Sequence, residues 1–207
     1  ARPRLKDKDV LRDELVRAAD RLIMSEGVGA LTARALAQEV GVAVGTTYNV
    51  FANMDELVIA LNGRTLDRLR DWLAEEPLQR ASVEDTLIAF ADCYIAFVEA
   101  HAALWLVLFE HEYQNRDVTE HAEPSANEQR VSKLFALIEE ALAPLFKLPK
   151  ERSELTRAAR VLWAGVHGIC HLALTGRLRF MHLDDAGSLA RALIRCHIAG
   201  LRAGCRG

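Results

Sequence analysis

Cysteine is sparse in this chain of 207 residues and too widely spaced to build anything. Cys93, Cys170, Cys196 and Cys205 contain no C-x-x-C pair. That argues against a structural zinc site and against a disulfide framework, and makes a reducing cytoplasm the expected location. Long apolar runs are missing as well: no stretch of 18 or more apolar residues goes without a charge, so no membrane span is expected. The polar, basic N-terminus has no apolar h-region, so no secretory signal is expected. Also absent is the excess of positive charge that often marks a nucleic-acid binder. The net charge is −3 over the chain and −1 over residues 1–62. A local excess does exist: Arg2, Arg4, Lys6, Lys8 and Arg12 face only Asp7 and Asp9 within the first twelve residues, a net +3. A short basic arm supplies phosphate contacts even to a neutral domain, because counterion release depends on the charge near the DNA. Charge therefore neither establishes nor excludes nucleic-acid binding.

Catalytic signatures are missing too. The chain has no Gly-rich phosphate loop, no nucleophile–base motif, no H-E-x-x-H and no E-x-x-H pair, so an enzyme is not expected. His167 and His171 stand at i, i+4, a spacing that can hold zinc, and Glu110, His111, Glu112 and His121 add acceptors. Histidines bonded within a core are the more economical reading, and no metal or cofactor is expected.

What the sequence does contain is helix. Apolar residues make up 51% and charged residues 27%, enough for a sizeable core, and no segment alternates with period two long enough for a sheet. Leu11, Leu15, Ala18 and Leu22 form one stripe of a helix from about Lys8 to Glu26, stopped by Gly27. Thr32 is placed to cap a short second helix, with Leu31 and Leu36 at the two positions of a hydrophobic staple, and Gly41 ends it. A third helix, about Val44 to Val50, follows at once, so the pair forms a helix-turn-helix. A fourth opens at Asn53 with Glu56 in a capping-box arrangement and runs to about Glu75, with Gly63 as a candidate bend point. Five further helices are expected over roughly 83–100, 102–112, 127–143, 153–175 and 185–203, separated by polar stretches such as 113–126 and 176–183.

The segment Leu31 to Leu57 carries the most information. Thr32, Ala37, Gly41-Val42, Gly45-Thr46, Tyr48, Phe51 and Asp55-Glu56-Leu57 closely resemble the DNA-binding domain of TetR-type repressors. Two positions depart from the family pattern: Ala43 stands where Ser is common, and Met54 where Lys is common. The resemblance implies an all-α, nine-helix fold with an N-terminal three-helix DNA-binding domain over 1–56. A C-terminal effector-binding and dimerisation domain then covers 57–207. It implies a ligand-responsive transcriptional regulator, a repressor that binds a palindromic double-stranded operator as a homodimer. Elementary recognition physics fits. In such a motif the second helix enters the major groove N-terminus first. Val44 and Gly45 stand at that end, and Gly45 lets the backbone approach DNA. Thr32, Thr46 and Thr47 offer hydroxyls, Tyr48 a phenol for a phosphate, Asn49 an amide for adenine and Arg34 a guanidinium for guanine or phosphate.

Farther on, Leu104–His111 and Trp163–Gly168 resemble the TetR branch known by its Trp-His-Gly pattern. Residues 102–109 are apolar on nearly every side, so burial is expected. Tyr94, Phe97, Trp105, Phe109, His111, Trp163, His167 and Cys170 are candidates to line a pocket for a small, mainly apolar effector that releases the DNA. The same aromatics would equally fill a plain core. The last two long helices carry apolar stripes, Leu155, Leu162, Val166 and Ile169 on one and Leu189, Leu193, Ile194 and Ile198 on the other. With the small residues Gly165, Gly168 and Gly200, they are expected to pair two subunits.

Overall fold

The computed structural model describes residues 7–75, 80–112, 125–147 and 149–204. The arm residues Arg2, Arg4 and Lys6, and also Pro77, His121 and Cys205, lie outside them. Among the described residues there are ten α-helices and no strand: α1 (Lys8–Glu26), α2 (Ala33–Val40), α3 (Val44–Val50), α4 (Met54–Glu75), α5 (Val83–Ala100), α6 (Ala102–Glu110), α7 (Ala126–Leu142), α8 (Arg152–Leu174), α9 (Arg177–Phe180) and α10 (Ala186–Gly204). The fold class is as read from the sequence. The tenth helix is α9, a four-residue turn inside the stretch read as a break. α4 continues through Gly63 as one helix.

The chain divides into two compact units. One takes in the described residues of Ala1–Asp67 and His101–Gln129, the other those of Arg68–Ala100 and Arg130–Gly207. Compactness thus parts the chain within α4, not at the 56/57 boundary read from the sequence, and it assigns α6 to the first unit.

In the first unit the stripe of α1 does what its spacing requires. Leu11, Leu15, Ala18 and Leu22 are all buried, and they pack with Leu36 of α2, Val50 and Phe51 at the end of α3, Leu57 and Leu61 of α4, and Leu104 and Val107 of α6. Burying one such side chain contributes roughly 1.5–3 kcal/mol. Gly27 ends α1 at φ 83°, ψ 175°, and Gly41 ends α2 in the left-handed region at φ 74°, ψ 38°. Any other L-residue in that left-handed conformation costs about 1–2 kcal/mol.

In the second unit α10 packs against both α5 and α8. Its buried residues Ala190, Ile194 and Ile198 meet a core that includes Phe97, Val98, Leu155, Ala159 and Leu162. Gly165 makes the approach of α8 to α10 possible, since a Cβ there would fall 2.5 Å from Leu193 Cδ2. Two ion pairs tie α10 to α5, Arg191 to Asp92 at 3.0 Å and Arg195 to Glu84 at 3.1 Å. No single described helix is long and apolar enough to cross a membrane.

Candidate nucleic-acid interface and ligand cavity

The helix-turn-helix is fixed by its caps. Thr32 Oγ1 accepts from the Ala35 amide at 3.1 Å, satisfying one of the amides orphaned at the start of α2. At the turn the Gly41 and Val42 amides donate to the Gln38 and Ala37 carbonyls at 3.2 and 2.8 Å. Ala43 precedes α3 with no side-chain cap, as its methyl group dictates. The start of α4 closes with a reciprocal pair: the Glu56 amide donates to Asn53 Oδ1, and the Ala52 amide donates to Glu56 Oε2, both at 2.8 Å. Arg12 of α1 joins this corner, 3.1 Å from Glu56 Oε1 and 4.3 Å over the Phe51 ring. The Ala52 amide and Arg12 together hold the Glu56 carboxyl below its ordinary range.

With the corner anchored, α3 presents an open face. Val44, Gly45, Tyr48 and Asn49 are exposed, as are Arg34 and Thr32, and Thr46 is half-buried. Thr47 departs from the expected set of hydroxyl donors. It is 1% exposed, and its Oγ1 meets no hydrogen-bond partner. The period of the helix explains this, because Thr47 shares its inward side with Val50 while Tyr48 is rotated out. A buried hydroxyl without a partner costs about 1–3 kcal/mol. Thr47→Val, of the same shape, is therefore expected to raise the thermal stability of the protein without changing its affinity for DNA. A loss of DNA affinity without destabilisation would return Thr47 to the contact set.

The residues proposed for a ligand pocket are divided between the two units. Trp105, Phe109 and His111 lie on or just beyond α6, in the first unit. Trp105 is 1% exposed in the core and lies 5.0 Å from Phe109, ring to ring. Burial of α6 is also less complete than expected: Leu104, Trp105 and Val107 are buried, while Phe109 is exposed. His111 Nε2 sits 3.1 Å from Oδ1 of the buried Asp55. No local sequence signal reveals that pair, because its members stand 56 residues apart.

The other five residues are in the second unit, where a cavity exists. It has a volume of about 90 Å³, and its walls come from α4, α5, α7, α8 and α10, among them Leu73, Leu87, Phe90, Tyr94, Trp163 and Ile194. Trp163 lines it directly. His167 stands behind that wall: its ring stacks on Trp163 at 4.7 Å, and its Nδ1 lies 3.1 Å from the Tyr94 hydroxyl. Phe97 and Cys170 are core residues that do not line the cavity. Phe97 meets Trp72 edge-on at 6.0 Å, and burial pushes the Cys170 thiol up to about 12, so it stays protonated. Sequence reasoning missed the leucines and Ile138 of the wall, which read as ordinary core stripe.

One wall is built differently from the rest. Of the α7 residues whose burial is described, only Leu142 is fully buried. A polar seam holds α7 to α8: Glu139 accepts from Thr156 Oγ1 at 3.1 Å and pairs with Arg160 at 3.4 Å and Arg152 at 3.5 Å. Phe135 lies between Arg160 and Trp163, at 4.9 and 5.4 Å.

Two histidines in this unit have lowered pKa values. Burial, and then the neighbouring His171, lowers that of His167; burial lowers that of His197 against an opposing bond to the Ala158 carbonyl. A base whose pKa falls on folding binds more protons when unfolded. Its stability contribution is complete above the unfolded value, about 6.5, and declines as pH drops below it. Melting temperature is therefore expected to fall between pH 7.5 and pH 5, before carboxylates titrate. The double variant His167→Gln, His197→Gln is expected to flatten that slope, and an unchanged slope would clear both residues.

Comparisons with known proteins agree with this architecture. The family model described as bacterial regulatory proteins of the tetR family matches residues 15–61, and the tetracyclin repressor-like C-terminal domain matches residues 87–197. No curated protein matches the chain. Among solved structures, a protein of unknown function from Rhodococcus sp. RHA1 is 24% identical, covers 98% of this chain and 100% of its own, and has a TM-score of 0.68. A tetR-family transcriptional regulator from Streptomyces coelicolor is 19% identical over 95% of this chain and 82% of its own, with a TM-score of 0.64. The multidrug binding protein EbrR, solved with ethidium, is 19% identical over 90% of this chain and 98% of its own, with a TM-score of 0.62.

Proposed function

Because the chain belongs to the TetR family of transcriptional regulators, we propose that it is a cytoplasmic repressor that binds a palindromic operator as a homodimer and leaves it when a small, mainly apolar effector occupies the second unit. The observation that carries the DNA half is the exposed face of α3. Val44, Gly45, Tyr48 and Asn49 project from a helix whose other side is locked into the core by Thr47 and Val50. Tyr48 and Thr46 position the helix on phosphates, with Thr32 at the start of α2. Arg34 and Asn49 read base edges, since only groups with a fork or an amide give bidentate contacts.

Three observations support the remaining parts. The cavity walls are apolar, the usual character of a small-molecule site. EbrR, which shares the fold, has been solved with ethidium, imidazole and malachite green. For the homodimer, α8 leaves Val161 55% exposed, and Gly168 and Gly200 have open space in front of them, as two helices awaiting a twin pair would. α4 is the candidate for communication. Leu57 and Leu61 of this one helix are in the first unit's core, and its Leu69 and Leu73 line the cavity. A dimer reads successive major grooves only when its recognition helices stand about 34–36 Å apart. A ligand that favours another spacing releases the DNA, with a typical coupling of about 1–3 kcal/mol.

A gel shift on the DNA upstream of its own gene tests the reading. Arg34→Ala and Asn49→Ala are each expected to cost about 1–3 kcal/mol on the operator and to relax discrimination. Tyr48→Phe is expected to weaken operator and random DNA alike. Equal losses on both DNAs for all three variants would refute the assignment of base readers, and no shift at all would refute DNA binding.

A further inference from the structure

Exposure sorts the residues around the apolar cavity. From α4, α5 and α10 come Leu73, Leu87, Ala91 and Ile194, all buried. The three that α7 contributes, Leu134, Leu137 and Ile138, are only half-buried, as are Phe90 of α5 and Trp163 of α8. The side walled by α7 is thus the least enclosed side of the cavity. The helices also differ in how they are held. α10 packs against both α5 and α8, and among the described residues α7 packs against no helix as closely. Its polar fastening to α8 is the Glu139 carboxylate, largely covered, which pairs with the exposed Arg152 and Arg160 and accepts from Thr156. We propose that α7 is the gate of this cavity and Glu139 its latch: the effector enters and leaves past Leu134, Leu137 and Ile138 when the seam to α8 opens. The proposal rests on the reading above that the second unit binds the effector, and it adds the route.

Of the walls, α7 is the cheapest to move. Apolar stabilisation scales with the area removed from water, so half-buried leucines lose less on leaving than the buried leucines of α4 and α5 would. Ion pairs to exposed arginines are weak and screened by salt, so the seam breaks more easily than a packed core. Segments with few buried apolar contacts open locally while the rest of the fold stays intact. The α8 side of the opening is anchored instead. Trp163 stacks on His167 at 4.7 Å, and His167 Nδ1 lies 3.1 Å from the Tyr94 hydroxyl. Phe135 of α7 closes edge-on against Trp163 at 5.4 Å, with Arg160 over its ring at 4.9 Å. Phe135 and Glu139 stand four residues apart, on one face of α7, so the aromatic seal and the latch release together.

Stopped-flow tryptophan fluorescence on the full chain without DNA tests this, with octan-1-ol and toluene as probes and calorimetry for their affinities. Glu139→Gln keeps the shape of the side chain and removes its charge. It is expected to raise the association and dissociation rates of a bound probe several-fold while its affinity stays within about two-fold. Raising NaCl from about 50 to about 500 mM is expected to speed exchange in the unchanged protein, because salt screens the seam, and not in the variant. Glu84→Gln, which breaks the pair with Arg195 between α5 and α10, is expected to leave both rates as they were. Equal acceleration by both substitutions, or by salt in both the unchanged protein and Glu139→Gln, overturns the gate. So does a Glu139→Gln protein that loses affinity at an unchanged association rate, the mark of a damaged pocket. Binding with the same kinetics in all three proteins overturns the gate and leaves the cavity as the effector site. Binding by neither probe overturns both.

Discussion

Ala91→Phe is expected to abolish the effector response while leaving operator affinity within two-fold of the original. Ala91 is 6% exposed on α5 and lines the apolar cavity of the second unit. The substitution adds a six-carbon ring to a space of about 90 Å³. The protein would carry its own occupant. Overpacking costs about 1–3 kcal/mol where no space exists, and here the space is present, so the folded state should survive. The effect on ligand binding should exceed 100-fold, because the ring takes the space that an apolar effector would fill. The readout is operator affinity with and without octan-1-ol as an apolar probe, alongside a melting curve. A variant that melts normally and still responds would show that the effector binds elsewhere. A variant locked in the released state would show that filling the chamber is itself the signal.

Leu36→Ala is expected to produce the largest loss of stability of any single truncation in the helix-turn-helix, about 2–5 kcal/mol. Leu36 is fully buried, and it is the only wholly buried large side chain on α2. It joins α2 to a core built from Leu15, Ile23, Phe51 and Leu57. Truncation leaves a cavity there that the packed neighbours cannot close. Since α3 is only seven residues long and depends on that core for its orientation, DNA binding should fall by more than the loss of any one contact on the exposed face. Denaturant unfolding of the variant, paired with a gel shift at low temperature, checks both parts. Normal stability would place the main anchor of α2 elsewhere.

These two residues differ in how visible they are in the sequence. Leu36 announces itself: it stands five residues after Leu31, across the Thr32 cap, in the pattern of a hydrophobic staple. Ala91 has no such mark. It lies on a helix most of whose residues are apolar, and only the approach of α7 and α8 turns its surroundings into a cavity. The aromatic residues divide in the same way. Trp105 and Trp163 look equivalent in the sequence, each in an apolar helix near a histidine. The fold buries Trp105 on α6 and places Trp163 in the wall of the cavity. A ring gains the same area burial in either place, so composition does not distinguish them.

The sequence by itself determined the helices and their ends, because caps, staples and left-handed glycines act over four or five residues: Thr32, Gly41, Asn53 and Glu56 set their boundaries by hydrogen bonds to their own neighbourhood. It also determined which side of α1 turns inward, through the period of 3.6 residues, whereas Thr47 of α3, read as an outward hydroxyl, is buried. Only the tertiary structure decided that α6 belongs with the first unit, that Asp55 meets His111, and that Leu73, Phe90 and Leu137 line an apolar cavity. Those outcomes depend on pairs tens of residues apart. Periodicity tells a helix which face to bury, but not against which partner, and a cavity is the space that several partners together leave unfilled.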